Sequence, residues 1–334
     1  MMHIFITGVG GFLGSNLADF YLKKGFKVSG NDTLIGGDIA NLDPRVNFYK
    51  YDCENLELNN KYYKDVDVIV HAAAYAHEGL SIFSPYLITK NIFSGSISVF
   101  TAAVAQKVKR VVYCSSMARY GNIKQPFLEA DIPNPQDPYG IAKLAAEKVL
   151  INMSETYGFE YNIAIPHNIL GAKQKYDDPF RNVAAIMINL MLQNRQPVIY
   201  GDGEQTRSFS DVQDCIYCID RLATDKNIVS EIFNIGPDEN YITINELYKK
   251  ISNILKFNKE PIYYPDRPRE VKYSNCSAEK ARTKLGYVTE FNVDSSLLKM
   301  VEYIKKKGVK DFTYNYDIEI NNELTPKTWS NKIF

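Results

Sequence analysis

Short apolar or β-branched runs alternate with longer segments of helical periodicity along the first half of the chain. This alternation is typical of a parallel sheet covered by crossover helices. It predicts strands at residues 3–7, 27–32, 46–52, 66–71, 110–115, 161–166 and 231–235. The predicted fold is therefore of the α/β class, a doubly wound parallel sheet of the Rossmann type.

Helical segments fill the gaps between the predicted strands. The longest cover residues 14–24, 84–106 and 138–157, and shorter helices are expected at residues 182–193 and 243–255. After Pro166 the alternation gives way to loops rich in Pro, Gly, Asp and Asn, which predicts a smaller C-terminal α/β lobe for substrate. We expect the sheet domain to contain residues 1–170 and 208–240, and the second lobe residues 171–207 and 241–334. The polar final segment, residues 314–334, is expected to wrap the surface or fray.

A glycine-rich turn, TGVGGFLG, follows the first strand and opens the first helix. Its glycines permit a tight turn, close approach of the backbone to a diphosphate and close helix packing, while the helix N-terminus offers donors to the anion. An acidic residue about 20 positions further on completes the fingerprint of a dinucleotide site. The expected contacts within the turn are Gly8, Gly11, Phe12, Leu13 and Gly14.

That acidic residue, Asp32, favours NAD over NADP. Its carboxylate can accept hydrogen bonds from both ribose hydroxyls and would repel a 2′-phosphate, and no arginine follows it before Arg45. Further cofactor contacts are expected after the third and fourth strands, because an open sheet binds its ligand at the carboxyl ends of its strands. These are Asp52, Cys53, Ala72, Ala73 and Ala74.

A tyrosine and a lysine four residues apart lie at the start of the helix predicted at residues 138–157. Tyr139 and Lys143 share one helix face, so the ammonium is expected to lower the pKa of the phenol and let a tyrosinate act as a base. Ser116, after the fifth strand, can hydrogen-bond the same substrate oxygen. Behind a complete dinucleotide fingerprint, these residues predict a catalytic group.

At these positions the chain resembles the extended short-chain dehydrogenase/reductases, and within them the NAD-dependent nucleotide-sugar epimerases and dehydratases, especially UDP-glucose 4-epimerase-like members. The resemblance runs from Gly8 to about Tyr287. It implies that Ser116 polarises the substrate, that Tyr139 is the base, and that Lys143 holds the nicotinamide ribose. Cofactor contacts are also implied for Asn91, Ser115 and Pro166.

The resemblance also implies where a nucleotide-diphosphate sugar binds. The implied contacts are Asn168 in the string PHNILG, Arg207 in YGDGEQTR, and Arg267 and Glu270 in RPREV. Guanidinium groups suit diphosphates because their fork binds phosphate oxygens in a bidentate manner. Glu78, after the fourth strand, is a further substrate candidate, and with His77 it is the best extra acid/base candidate, although a solvated loop explains both equally well.

Several positions depart from the family pattern. Ser208 stands where an acidic residue is usual, and Asp211 where an aromatic residue or histidine is commoner. In the sugar 4,6-dehydratases, Asp and Glu follow the serine equivalent to Ser116. Here these positions are Met117 and Ala118, which exchange no proton, so dehydration lacks its usual catalysts.

Composition adds no other function class. Lys plus Arg and Asp plus Glu are 39 each, so no overall field favours nucleic acid or an anionic membrane. Without an apolar run near the roughly 20 residues of a membrane span or a signal peptide, we expect a cytoplasmic protein. The five cysteines lack a disulfide framework, and Cys215 with Cys218 lacks the further ligands of a zinc site, so no metal is expected.

The sequence thus favours a 4-epimerase that works through a transient 4-keto sugar and uses NAD. Net 4-dehydrogenation or reduction, or 3,5-epimerisation through Glu78, His77 or a cysteine, stays open. A catalytically silent NAD-binding sensor is the alternative of another class. By the same resemblance, the helices at residues 84–106 and 138–157 are expected to form a homodimer interface.

Overall fold

A seven-stranded parallel sheet lies at the centre of the protein, whose computed structural model describes residues 1–239 and 241–334. The spatial order is β3-β2-β1-β4-β5-β6-β7, and every neighbouring pair is parallel. The strands are β1 (His3–Thr7), β2 (Lys27–Asp32), β3 (Asn47–Lys50), β4 (Val68–His71), β5 (Arg110–Cys114), β6 (Glu160–Pro166) and β7 (Glu231–Ile235). All seven predicted strands and the doubly wound fold are confirmed.

The order of the strands reverses between β1 and β4, which leaves a crevice at their carboxyl ends where such sheets bind ligands. The largest boundary difference is at β3, which is shorter than the predicted range 46–52. β3 is the edge strand and pairs with β2 alone. The apolar residues that flank it are buried without joining the ladder, so hydrophobicity overstated its length.

Helices cover both faces of the sheet and build the second lobe. They are α1 (Phe12–Lys23), α2 (Leu56–Tyr62), α3 (Glu78–Ser81), α4 (Pro85–Thr89), α5 (Gly95–Ala105), α6 (Pro138–Tyr157), α7 (Val183–Leu192), α8 (Val212–Thr224), α9 (Ile244–Leu255), α10 (Glu279–Leu285), α11 (Val293–Lys307) and α12 (Lys327–Ser330). A π-helical stretch, Lys90–Ser94, joins α4 to α5, and 3₁₀ turns lie at Ile39–Asn41 and Met117–Arg119.

Local chemistry fixes the ends of α6, the helix that carries the tyrosine and lysine. Asp137 caps its N-terminus by accepting a hydrogen bond from the amide of Gly140 at 2.8 Å, and Pro138 occupies the first turn, where it breaks no hydrogen bond. Gly158 ends the helix with φ of 76°, a left-handed conformation that glycine adopts without strain. The predicted bounds 138–157 are confirmed.

The helical run Pro85–Ala105 is long and apolar enough, by length and composition alone, to cross a membrane, and half of its apolar window is buried. A buried core helix meets the same criterion. The run packs against α2 and α6, and Val99 and Phe100 are fully buried in the core on that face of the sheet.

Short strand pairs lie outside the main sheet, one within the predicted sheet domain and the others within the second lobe. Ile169–Leu170 pairs with Ser210–Asp211, Thr206–Arg207 with Ile242–Thr243 and Tyr273–Ser274, and Val198–Tyr200 with Ile262–Tyr264. The second lobe has its own hydrophobic cluster, centred on α7, α9 and α11, but Ala281 and Leu285 of α10 belong to the core beneath the sheet. The division at residues 170, 207 and 240 stays a prediction, and residue 240 lies outside the described residues.

The C-terminal segment is folded onto the body of the protein, so of the two expectations, wrapping the surface or fraying, the structure agrees with the first. Trp329 is 2% exposed and packs edge-on against Phe180 and Phe83, with ring centroids 5.2 and 6.0 Å away. The hydroxyls of Thr328 and Tyr200 are hydrogen-bonded to each other. The polar composition of the segment hid these few large apolar anchors.

Candidate active site

One cavity of about 500 Å³ runs across the carboxyl ends of β1, β4 and β5 and continues under the second lobe. Its volume lies within the range of small-molecule and cofactor sites. Every site residue that the sequence predicts lines it. These are Gly8, Gly11, Phe12, Leu13, Gly14, Asp32, Asp52, Cys53, Ala72, Ala73, Ala74, Glu78, Asn91, Ser115, Ser116, Tyr139, Lys143, Pro166, Asn168, Arg207, Arg267 and Glu270.

The glycine turn has no room for side chains. A Cβ added to Gly8, whose φ is +69°, would lie 2.8 Å from the Cα of Ala73. A Cβ on Gly14 would lie 2.2 Å from the carbonyl oxygen of Gly8. The turn therefore packs directly against the loop after β4 and leaves the N-terminus of α1 open to the cavity, which is the cradle that a dinucleotide diphosphate requires.

Asp32 ends β2 with its carboxylate held at the cavity wall. Its oxygens accept hydrogen bonds from the amides of Gly10 at 3.0 Å and Leu34 at 2.7 Å. Burial raises the pKa of this carboxyl, and the two backbone hydrogen bonds oppose the rise. A Cβ on Gly37 would lie 2.9 Å from the carboxylate oxygens, so the acid is enclosed in a narrow recess that suits ribose hydroxyls.

Buried hydrogen bonds hold the floor of the cofactor groove. The Thr7 hydroxyl lies 2.7 Å from Nδ1 of His71, and the Ala73 amide donates to the Thr7 oxygen at 3.2 Å. Oδ1 of Asn91 accepts a hydrogen bond from the Tyr75 amide at 2.8 Å. Asn91 thus orders the loop after β4 as well as lining the cavity.

Tyr139 and Ser116 lie next to each other on the cavity wall, in surroundings that disfavour ionisation of the phenol. Burial raises the pKa of Tyr139 above its ordinary value, and the neighbouring Ser116 hydroxyl only partly offsets this. The expectation that Lys143 lowers the pKa of the phenol is wrong for this structure. The lysine Nζ lies 6.0 Å from the centre of the Tyr139 ring and donates instead to the carbonyl of Cys114 at 2.8 Å.

Lys143 is itself almost completely buried, and burial lowers its pKa to about 8. Glu147, one helical turn later, opposes that shift. Glu147 accepts a hydrogen bond from the Ser115 hydroxyl and pairs with Arg119 at 3.1 Å. Ser115 lines the cavity, but its hydroxyl is committed to this buried ion pair.

Two arginines of the second lobe that line the cavity share one carboxylate, and Arg207 also lines the small cavity beside Ser116. Arg267 donates from Nε and Nη2 to the two oxygens of Glu270 at 3.1 and 2.8 Å, and Nη2 of Arg207 lies 3.5 Å from the same group. Burial lowers the pKa of Arg207, although Glu270 opposes the shift. Two cations on one anion leave net positive charge facing the cavity, which suits a diphosphate. Asn168 lies nearby and donates to the carbonyl of Ser208 at 2.9 Å.

Glu78 and His77 have different environments although they are adjacent. Glu78 is open to the cavity and also lines an adjoining cavity of about 80 Å³ beside Ser116 and Met117. Enclosure by protein, with the charge of Asp137, raises its pKa to about 7. His77 is fully buried, and its Nε2 donates to Asp178 at 2.9 Å. Of the two acid/base candidates, only Glu78 is placed to contact a ligand.

Sequence reasoning missed several residues that line the cavity. Arg181, Tyr75 and Asp137 belong to it, and Trp329 and Phe334 of the C-terminal segment form part of its wall. Asp137 could have been found, because an acidic residue before Pro138 is a helix-cap signal. The others depend on contacts between distant parts of the chain.

Comparison with known proteins agrees with this geometry. Residues 4–236 match the model of the NAD dependent epimerase/dehydratase family. A UDP-glucose 4-epimerase of Mycolicibacterium smegmatis is 29% identical over 92% of this chain and its own full length. The solved UDP-glucose 4-epimerase of Thermotoga maritima, with UDP-glucose, is 32% identical, with a TM-score of 0.85 over 92% of this chain and 99% of that one. The UDP-glucuronic acid 4-epimerase of Bacillus cereus, with UDP-glucuronic acid and NAD, is 27% identical, with a TM-score of 0.85 over 92% of this chain and all of that one.

The cradle of the glycine turn, the enclosed carboxylate of Asp32 and the small residues Ala72 and Ala73 opposite the turn fit NAD. The family model covers the segment that carries Ser116, Tyr139 and Lys143, and the structural likeness extends through the second lobe. The cofactor is accordingly NAD, and the chain belongs to the NAD dependent epimerase/dehydratase family.

Proposed function

We propose that the protein is a nucleotide-sugar 4-epimerase, and that UDP sugars are the first substrates to test, since the similar proteins described above are named for them. The observation that carries the proposal is that Ser116 and Tyr139 lie together on the wall of a cavity that also holds Arg207 and Arg267. A sugar whose diphosphate binds the arginines would present its ring to the tyrosine.

In this mechanism Tyr139 acts as the tyrosinate, which the positive charge of Lys143 and that of oxidised NAD, when bound, would favour against the effect of burial. It takes the proton from the sugar 4-hydroxyl as the 4-keto sugar forms, and returns it at the end of turnover. Ser116 donates a hydrogen bond to the same oxygen. Lys143 keeps a positive charge beneath the tyrosine at neutral pH and, with the Cys114 carbonyl, fixes its own position. When bound, NAD supplies the exchange of hydride with the sugar carbon and the positive charge of its oxidised ring.

Dehydration is disfavoured by the residues beside Ser116. Met117 and Ala118 line the small cavity next to the serine, and neither can transfer a proton. The 6-hydroxyl should therefore be retained in the product.

Glu78 favours 3,5-epimerisation as a second candidate. A carboxyl with a pKa of about 7, open to both cavities, can remove and replace a proton on a carbon next to a ketone. The two reactions differ in where the new hydrogen comes from. A 4-epimerase returns the same hydride, whereas a 3,5-epimerase takes a proton from water.

The test is to incubate the purified protein in D₂O with UDP-, GDP-, CDP- and dTDP-sugars, without added cofactor, and to follow the sugar by NMR. A 4-epimer without deuterium on carbon supports the proposal. Deuterium at C3 or C5 supports the second candidate. A 4-keto-6-deoxy product, or no reaction with any sugar after NAD is added, would refute both.

A further inference from the structure

Arg181 is a cation of the second lobe that reaches the cofactor half of the cavity. It lies two residues before α7 and lines the cavity. A Cβ on Gly36, in the loop after β2, would lie 2.7 Å from its Nη2. Burial raises the pKa of Asp32 and of Tyr139, and the charge of Arg181 partly offsets both rises. The guanidinium is therefore beside the loop after β2 and close enough to Asp32 and Tyr139 for its charge to act on both.

A buried pair of residues anchors one side of this guanidinium. Nε of Arg181 lies 3.5 Å from Oδ2 of Asp178, which also accepts a hydrogen bond from Nε2 of His77 at 2.9 Å. Asp178 is 1% exposed, and the ring of Tyr316 packs 4.5 Å from that of His77. Although burial opposes it, the hydrogen bond from His77 and the charge of Arg181 keep the pKa of Asp178 below its usual range.

The other side of the guanidinium is open. Within residues 1–239 and 241–334, the ion pair of Arg181 is made by Nε, with Asp178, and Nε2 of His77 lies 3.4 Å from the same Nε. Nη1 and Nη2 make no such contact, and Nη2 lies beside Gly36 in the loop after β2, with the Tyr316 hydroxyl close to the guanidinium. A fork of donors held by its stem at Asp178 and without a carboxylate at its tips is arranged to bind an anion.

Three other cations of the cavity are already engaged, and a fourth, Arg269, lies next to Glu270 in the chain. Lys143 is bonded to the Cys114 carbonyl beneath Tyr139, while Arg207 and Arg267 share Glu270, where the sugar nucleotide is expected. Arg181 instead lies close to both Asp32, where a ribose is expected, and Tyr139, where the nicotinamide reacts. In NAD, the diphosphate lies between those two parts of the molecule.

We propose that Arg181 binds the diphosphate of NAD from the second lobe, opposite the glycine turn, and that Asp178 and His77 are positioning residues for its guanidinium. This inference concerns the cofactor and does not depend on which sugar the protein converts. The turn offers backbone amides to one face of the diphosphate, and Arg181 offers a charged fork to the other. NAD then contacts both lobes, so loss of Arg181 should speed its release.

The experiment measures binding by calorimetry. Wild-type protein, Arg181→Met and Arg181→Lys are dialysed, assayed for the NAD that remains per chain, and titrated with NAD, ADP-ribose and UDP. In Arg181→Met, loss of a charge-assisted hydrogen bond should lower the affinity for NAD and for ADP-ribose by about 10- to 100-fold. Arg181→Lys keeps the charge but not the forked guanidinium, so its loss of affinity for NAD and ADP-ribose should be smaller. UDP affinity should not change.

Arg195→Met is the matched control, because Arg195 follows the other end of α7 and donates to the carbonyl of Ile333 outside the cavity. It should bind NAD as the wild type does. Asp178→Asn should lower the affinity for NAD and ADP-ribose but not for UDP, as Arg181→Met does, and by a smaller factor. If Arg181→Met is unfolded, Arg181→Lys decides.

Unchanged affinity for NAD and ADP-ribose in folded Arg181→Met would overturn the proposal. So would a loss for UDP as large as that for NAD, since Arg181 would then act on the sugar nucleotide or on the cavity as a whole. For Asp178→Asn, a pure loss of stability with normal NAD affinity would remove its positioning function.

Discussion

Replacing Tyr139 by phenylalanine is the sharpest test of the proposed proton transfer. The change removes one hydroxyl from a side chain that is 7% exposed and leaves the ring in its packing. The loss of one ordinary hydrogen bond costs about 1 kcal/mol of stability. Loss of a positioned general base instead lowers turnover by about 10²- to 10⁴-fold, which corresponds to about 3 to 5 kcal/mol of barrier. The kinetic effect should therefore far exceed the effect on folding.

The assay follows interconversion of the preferred sugar nucleotide by NMR, and calorimetry checks that NAD binds normally. Tyr120→Phe is the matched control. Tyr120 is another buried tyrosine, and its hydroxyl donates to Asn234 at 2.8 Å outside both cavities. Its loss should change stability by a similar amount and leave turnover within a few-fold. Turnover of Tyr139→Phe within tenfold of wild type would refute Tyr139 as the base and leave Glu78 as the next candidate.

Three further predictions follow from the structure. Burial lowers the pKa of Lys143 from 10.5 to about 8 in the folded protein. Below pH 8 the lysine is charged in both states, and its burial then destabilises the folded state; near pH 10.5 this cost is small, because the folded protein holds the lysine uncharged. Lys143→Met should thus abolish turnover. In urea titrations it should raise the free energy of unfolding more at pH 7 than at pH 10, and an equal increase at both pH values would contradict this. The carboxylate of Asp32 should make the affinity for NAD about tenfold or more higher than that for NADP. In calorimetric titrations, Asp32→Asn should bring the two affinities closer together. Two apolar side chains on the helices expected to form the dimer interface are exposed, Phe93 by 36% and Ile141 of α6 by 53%. If these helices pair between two copies of the chain, light scattering should show a dimer, and Ile141→Glu should convert it to a monomer.

The fold could be predicted from the sequence because its signals are local. The strands β1, β4 and β5 are short, mainly apolar runs buried on both faces, as parallel sheets require, so their identity does not depend on knowing their neighbours. The glycine turn is equally local, since Gly8 and Gly14 serve contacts within the first strand, turn and helix and the adjoining loop. The edge strand β3 was the least well bounded because a single neighbour limits its ladder.

The electrostatics of the site could not be predicted in the same way. The spacing of Tyr139 and Lys143 correctly indicates a shared helix face, but it carries no information on burial. In the folded protein, burial raises the pKa of the phenol and lowers that of the ammonium, and the two groups are 6.0 Å apart by the ring centre. Burial therefore outweighs the charge of the neighbouring lysine here.

His77 shows why sequence position alone misjudges such residues. It follows a strand end where ligands bind, which made it a candidate acid or base, yet the fold encloses it between Asp178 and Tyr316. Burial lowers the pKa of His77 despite Asp178, which favours the neutral form of the ring, and its Nε2 can donate to the carboxylate. A neutral donor stabilises the ionised form of Asp178 without cancelling its charge. That charge remains available to hold Arg181, which lies three residues after Asp178. Asp178 itself lies 101 positions after His77 along the chain. The histidine therefore contributes to the cavity through the arginine, and only the folded structure brings the three residues together.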